Sequence, residues 1–171
     1  PTVENVKSAQ DVLHNIYDTQ LYFHCGSVSI LEIRKMCKKL KNQSGLHFVV
    51  VDYIGLVTPA DFRVTRVEQI SGITRGLKLM ADELDLPVLA LSQLRRESEQ
   101  EKRLPRLSDL RESGSIEQDA DVVLLIHRER NKITGDLETQ GILQVAKQRN
   151  GETGSMVLGF DHDRVCFREN L

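Results

Sequence analysis

Two short apolar runs, each ending in a polar residue and separated by one long helical pattern, constrain the fold of this chain more than any other feature. Phe48-Val49-Val50-Val51 is followed by Asp52, and Pro87 opens Val88-Leu89-Ala90-Leu91, which is followed by Ser92-Gln93. Unbroken apolar runs of this kind read as strands covered on both faces in a parallel sheet. Between them Val67, Ile70, Ile73, Leu77, Met80, Ala81 and Leu84 recur at helical spacing. Strand, helix, strand predicts a βαβ crossover and a parallel pair, since parallel strands need a long connection. A third run, Val122-Val123-Leu124-Leu125-Ile126, reads as another buried strand. The stretches 142–146, 156–160 and 165–167, punctuated by Asn150-Gly151 and Gly154, read as antiparallel hairpins.

The flanking segments are simpler. Val6, Ala9, Val12, Leu13 and Ile16 predict an amphipathic helix over residues 3–16, and Leu21 to Phe23 a short strand. Ser29 precedes the stripe Ile30, Ile33, Met36, Cys37, Leu40, with Gly45 just beyond it, which predicts a capped surface helix whose lysines at 35, 38, 39 and 41 are solvated. The polar stretch from Leu94 to Arg106 reads as a mobile, exposed loop. Ser115 with Gln118 suits a capping box on a short helical turn. No repeat or linker divides the chain, so residues 1–171 are expected to form one unit.

Composition excludes more than it selects. With 40% hydrophobic residues in 171, the chain has apolar material for a core, and a net charge of −2 gives no global field for nucleic acid. Any phosphate contact must therefore come from local Arg and Lys. Cys25, Cys37 and Cys166 are too scattered for a disulfide framework or a zinc site and read as reduced, mostly buried thiols. Asp161-His162-Asp163 reads as a polar turn between strands, and no metal cage is expected. No apolar run is long enough to span a bilayer and no leader is visible, so the cytoplasm is the expected location. The chain opens at Pro1, which suggests a trimmed product.

Asp52 and Gln93 are the first candidates for chemistry. Polar residues at the C-terminal tips of adjacent parallel strands face the crevice where open α/β sheets bind ligands. There a carboxylate can hold magnesium beside phosphates, and a neutral amide can sense a terminal phosphate. The alternatives are a carboxylate capping a turn and a polar residue leaving a strand. Lys147 and Arg149, two residues apart, share one face of a strand. On spacing alone they are two solvated cations before an Asn-Gly turn.

Four motifs narrow this: VVVDYIGL at 49–56, SQLRR at 92–96, SDLRESGSIEQDAD at 108–121 and AKQRNG at 146–151. Together, and in this order, they resemble the DnaB-type replicative helicases over nearly the whole chain. The resemblance implies an α/β, RecA-like, mostly parallel sheet flanked by helices, with antiparallel hairpins at the C-terminal end. It implies an ATP-dependent DNA helicase, moving 5′ to 3′ as a homo-hexameric ring on single-stranded DNA at the replication fork, with primase and a helicase loader as partners. Under it Asp52 is similar to the magnesium-holding Asp, acting through water, and Gln93 to the phosphate-sensing Gln. Arg111, Glu112 and Gly114 match the channel loop that follows the DNA backbone. Lys147 and Arg149 match the basic pair inserted into the next subunit's ATP site.

Two departures stand out. The family commonly has Gln where this chain has Gly55, and no G-x-x-x-x-G-K-[ST] occurs in the sequence. The phosphate-cradling strand and loop, and the family's catalytic glutamate, are thus expected to lie in a missing N-terminal portion, leaving this chain a partial domain, inactive alone. Two other readings remain: an adaptor for DNA or replication proteins that has lost its P-loop, and a related RecA-like recombination or repair ATPase.

Overall fold

A computed structural model of the chain describes residues 19–95, 103–110, 113–130 and 136–169. The helix expected over 3–16 lies outside them. The first element is α1, Ile30–Ser44, and its boundaries are set by side chains. Ser29 Oγ accepts the Glu32 N–H, while the Glu32 carboxylate accepts the Ser29 N–H at 2.8 Å, so two otherwise orphaned donors are satisfied. Gly45 ends the helix in the left-handed region, φ 76°, and its N–H donates to Lys41 O.

Strand β1, Val49–Val51, leads through a 3₁₀ turn to α2, Arg66–Leu84, and then to β2, Val88–Ala90. Thr65 and Glu68 form a second capping box at the start of α2. The expected crossover is present: β1 and β2 are parallel, with Val49 opposite Val88 and Val51 opposite Ala90. The helical rhythm becomes a buried face, because Ile70, Ile73, Leu77, Met80 and Leu84 form one core with Ile33 and Cys37 of α1 and Val49 and Val51 of β1. Burying each large apolar side chain of this set contributes about 1.5–3 kcal/mol. The basic run of α1 is less idle than its composition suggests, since Arg34 and Lys38 pair with Glu83, and Lys41 Nζ donates to Leu84 O.

A short helix α3, Ser113–Asp119, precedes β3, Val122–His127. The hairpin strands β4, Gln140–Gln148, β5, Gly154–Asp161, and β6, Cys166–Glu169, follow, and β3 to β6 form one antiparallel sheet in sequence order. The Asp161 carboxylate accepts the N–H groups of Asp163 and Arg164, so the acidic stretch is a turn between β5 and β6.

Several expectations need correction. Leu21 to Phe23 form no strand, and Phe23 is 85% exposed. Helix α3 begins before Ser115, whose hydroxyl lies inside it with no partner among the described residues, so it caps nothing. Of the cysteines only Cys37 is buried. The three apolar strands are covered on one face alone: Val50, Leu89, Val122, Leu124 and Ile126 are each about half exposed. Among the described residues β2 pairs only with β1, and β3 only with β4. The continuous apolar runs thus encode a covering layer that these residues do not supply.

Candidate functional site

The parallel register carries Asp52 and Gln93 to the same rim of the β1–β2 pair. Beyond the last paired residues, Leu91 N–H donates to Val51 O and Ile54 N–H to Leu91 O, each at 3.0 Å, so the strands stay bonded to their tips. Asp52 is exposed there, joined to Tyr53 by a cis peptide bond. Tyr53, Ile54, Gly55, Arg66, Ile70, Ser92 and Gln93 line one cleft beside it. Asp52 itself is not in that lining.

Gly55 and Arg66 shape this cleft. An added Cβ at residue 55 would sit 2.5 Å from Tyr53 Cε2, closer than such contacts permit. Glycine therefore lets the tyrosine ring lie against the backbone, and Arg66 Nη2 donates to the Gly55 carbonyl at 2.8 Å. The difference from the family pattern is thus a matter of space within the cleft.

Lys147 is near the end of β4 and Arg149 lies just past it, and both side chains reach the end of α3. Lys147 Nζ donates to Glu117 O at 2.5 Å and to Ala120 O at 2.6 Å, and Arg149 Nη2 to Gln118 O at 3.3 Å. These carbonyls close the C-terminal end of α3, where cations satisfy orphan acceptors and the helix dipole together. Arg149 Nη1 also pairs with Asp121 at 2.8 Å, and Asp121 holds Lys78 of α2 at 2.9 Å. Lys78 first, then the other cations, keeps the Asp121 carboxyl below the ordinary carboxylate range. Within one chain the basic pair therefore lies on α3 and does not line the cleft of Gln93.

Of the loop residues, Gly114 is in the first turn of α3, exposed, with no atom near the place its Cβ would take. Arg111 and Glu112 lie outside the described residues. What precedes them is well defined. Leu94, next to Gln93, bridges antiparallel to Leu110, and Arg95 N–H donates to Asp109 O at 2.8 Å. The Asp109 carboxylate, 8% exposed, takes both ends of the Arg103 guanidinium at 2.6 and 2.9 Å and the Arg106 N–H at 2.7 Å. Of the exposed loop expected over Leu94 to Arg106, residues 96–102 lie outside the described residues, and Arg95, Arg103 and Arg106 are anchored to Asp109. Asp109, Asp121 and Lys78 escaped the sequence reading, because single charged residues carry no spacing signal.

No three His, Cys, Asp or Glu side chains gather about one point among the described residues. A lone exposed carboxylate instead suits magnesium, which keeps waters and substrate phosphates as its other ligands. No helix among the described residues is long and apolar enough to cross a membrane.

Comparison with known proteins bears on the same architecture. The sequence model of the DnaB-like helicase C terminal domain matches residues 2–169. The replicative DNA helicase DnaB of Leifsonia xyli is 46% identical over 152 residues, 85% of this chain and 32% of that protein. The DnaB of Geobacillus stearothermophilus is 45% identical over 139 residues, 78% of this chain and 30% of that protein. The chain thus spans about a third of the length of the curated relatives it matches. A solved DnaB-like replicative helicase, described with its interactions with primase, superposes with a TM-score of 0.87 at 33% identity, over 98% of this chain and 41% of that one. A solved ATPase domain superposes with a TM-score of 0.89 at 34% identity, over 99% of this chain and 62% of that one.

Proposed function

This chain belongs to the family of DnaB-like helicase C-terminal domains, and on that premise we propose that it is the later part of the ATP-driven motor of a replicative DNA helicase. The observation that carries the proposal is the shared rim: Asp52 and Gln93 leave adjacent, register-matched parallel strands on one side of the sheet. Bound magnesium–ATP supplies the phosphoryl group whose transfer to water drives movement. Asp52 would hold the magnesium through water, and the Gln93 amide N–H would donate to a terminal phosphate oxygen when one is present. Lys147 and Arg149 act on a neighbouring subunit's nucleotide, where cations stabilise charge that grows in the transition state.

The DNA side of the reading rests on sequence motif and position. Arg111 neutralises a phosphate of single-stranded DNA, and Gly114, open on its Cβ side, lets the strand approach the backbone. Glu112 orients Arg111 or a neighbouring loop. The complete protein is a homo-hexameric ring in the cytoplasm, moves 5′ to 3′, and works with primase and a loader. Its preceding segment supplies the phosphate-cradling loop and covers the bare apolar face.

The test is unwinding by the full-length protein. With magnesium and ATP it should open a forked duplex from the 5′ arm. Asp52→Asn should lower kcat for ATP by roughly a hundredfold or more while leaving single-strand affinity in place. Unwinding at the wild-type rate in that variant would refute the assignment of Asp52.

A further inference from the structure

The path from Gln93 to the DNA-facing loop is short and carries one unusual fastening. Gln93 is followed by Leu94, Leu94 bridges Leu110, and Leu110 is followed by Arg111. A single antiparallel bridge does not sustain itself, because an isolated strand pair is marginal in water. Two contacts reinforce it. Leu110 is buried with Val123 and Leu125, which fixes its side chain against β3. Asp109 is fixed by charge, through the two-pronged contact with Arg103 and the N–H of Arg106. Planar bidentate pairs add geometric restraint to energy, so the clamp limits rotation as well as separation. The Arg95 N–H to Asp109 O bond then ties the clamped residue back to the strand tip, two residues from Gln93.

We propose that Arg103 and Asp109 are positioning residues whose ion pair holds the entry to the DNA-facing loop in register with the strand tip that carries Gln93. A displacement of Gln93 by nucleotide is thereby delivered to Arg111 instead of being absorbed by slack in residues 103–110. The proposal rests on the functional reading above. It adds to it a pair that touches neither nucleotide nor DNA and governs how far each feels the other. Neither residue lines the cleft of Gln93. Their removal should therefore spare the chemistry and spoil the communication.

The experiment compares ATP turnover of the full-length protein without DNA and with saturating oligothymidylate, in wild type, Asp109→Asn and Arg103→Lys. Asparagine keeps an acceptor for the Arg106 N–H and loses the charge, and lysine keeps the charge and loses the fork. The expected result is that the stimulation ratio falls by roughly threefold to thirtyfold in Asp109→Asn and by less in Arg103→Lys. Turnover without DNA should stay within about twofold of wild type. An unchanged ratio in both variants overturns the proposal. So does a fall of both turnovers in step with a lowered Tm, because that is what a merely structural pair would give. If Asp109→Asn does not fold, the milder Arg103→Lys decides by the same two criteria. A wild-type protein whose turnover ignores DNA would instead overturn the functional reading itself, and the clamp with it.

Discussion

Both carboxylate oxygens of Asp109 are engaged, and the Arg103 guanidinium holds its carboxyl at about 2 against an ordinary value of 3.8. A depressed acid stabilises the fold above the unfolded value and loses that contribution as pH falls through the folded one. Acid unfolding between pH 3.8 and 2 should therefore be shallower in Asp109→Asn than in wild type, read by circular dichroism; identical acid profiles would show that the pair contributes nothing. At Arg111 the expected effect is on binding. Arg111→Ala in the full-length protein should weaken single-strand affinity about equally for all sequences and reduce the salt slope by roughly one. At Gly55 the expected effect is steric: Gly55→Gln forces the Tyr53 ring out of its place and should alter nucleotide affinity more than DNA affinity. Of these residues Arg111 was proposed from a motif and lies outside the described residues. Asp109 was not legible, because its burial depends on where a charged segment docks, and composition alone puts such a segment in water.

Helix α3 has only seven residues, too few to be stable by itself, and tertiary contacts hold both its ends. Ahead of it stands the Asp109 clamp, and behind it Lys147 donates to the carbonyl of Glu117 in its last turn and to that of Ala120 just past its end. Lys147→Ala should cost roughly 1–3 kcal/mol and speed hydrogen exchange in α3 before any other helix. Unchanged protection of α3 would mean that the lysine does not anchor it. The caps are milder, and Thr65→Ala should lower stability by about 1 kcal/mol. Elements with strong periodicity were readable: the βαβ crossover, the capped α1, the body of α2 and the hairpins, whereas the Thr65 cap of α2 was not read. The start of α3 was misplaced at Ser115, which lies inside the helix with its hydroxyl unpartnered among the described residues. Leu21 to Phe23 failed as a strand for a related reason, since a short apolar run needs a partner and none of the described residues provides one.

At the scale of the whole chain, the exposed faces of β1, β2 and β3 make one prediction. The 171-residue chain alone should bind an apolar dye or self-associate, and should turn over ATP negligibly. Magnesium-dependent turnover by this chain would contradict the view that its polar strand tips are part of a larger pocket. The two sheets also keep the rim residues and the basic pair apart within one chain, which is intelligible if each pocket is completed by a neighbour. The apolar runs announced two-sided burial, and the face left bare is the one that carries Val50, Leu89, Val122, Leu124 and Ile126. The most direct test of the account mixes two inactive full-length variants, Arg149→Ala and Asp52→Ala, into shared rings. The account predicts that ATP turnover in the mixture rises above that of either variant, because an intact Asp52 pocket then meets an intact Arg149 from next door. No recovery, with mixed rings demonstrated by pull-down of one tagged variant, would contradict it.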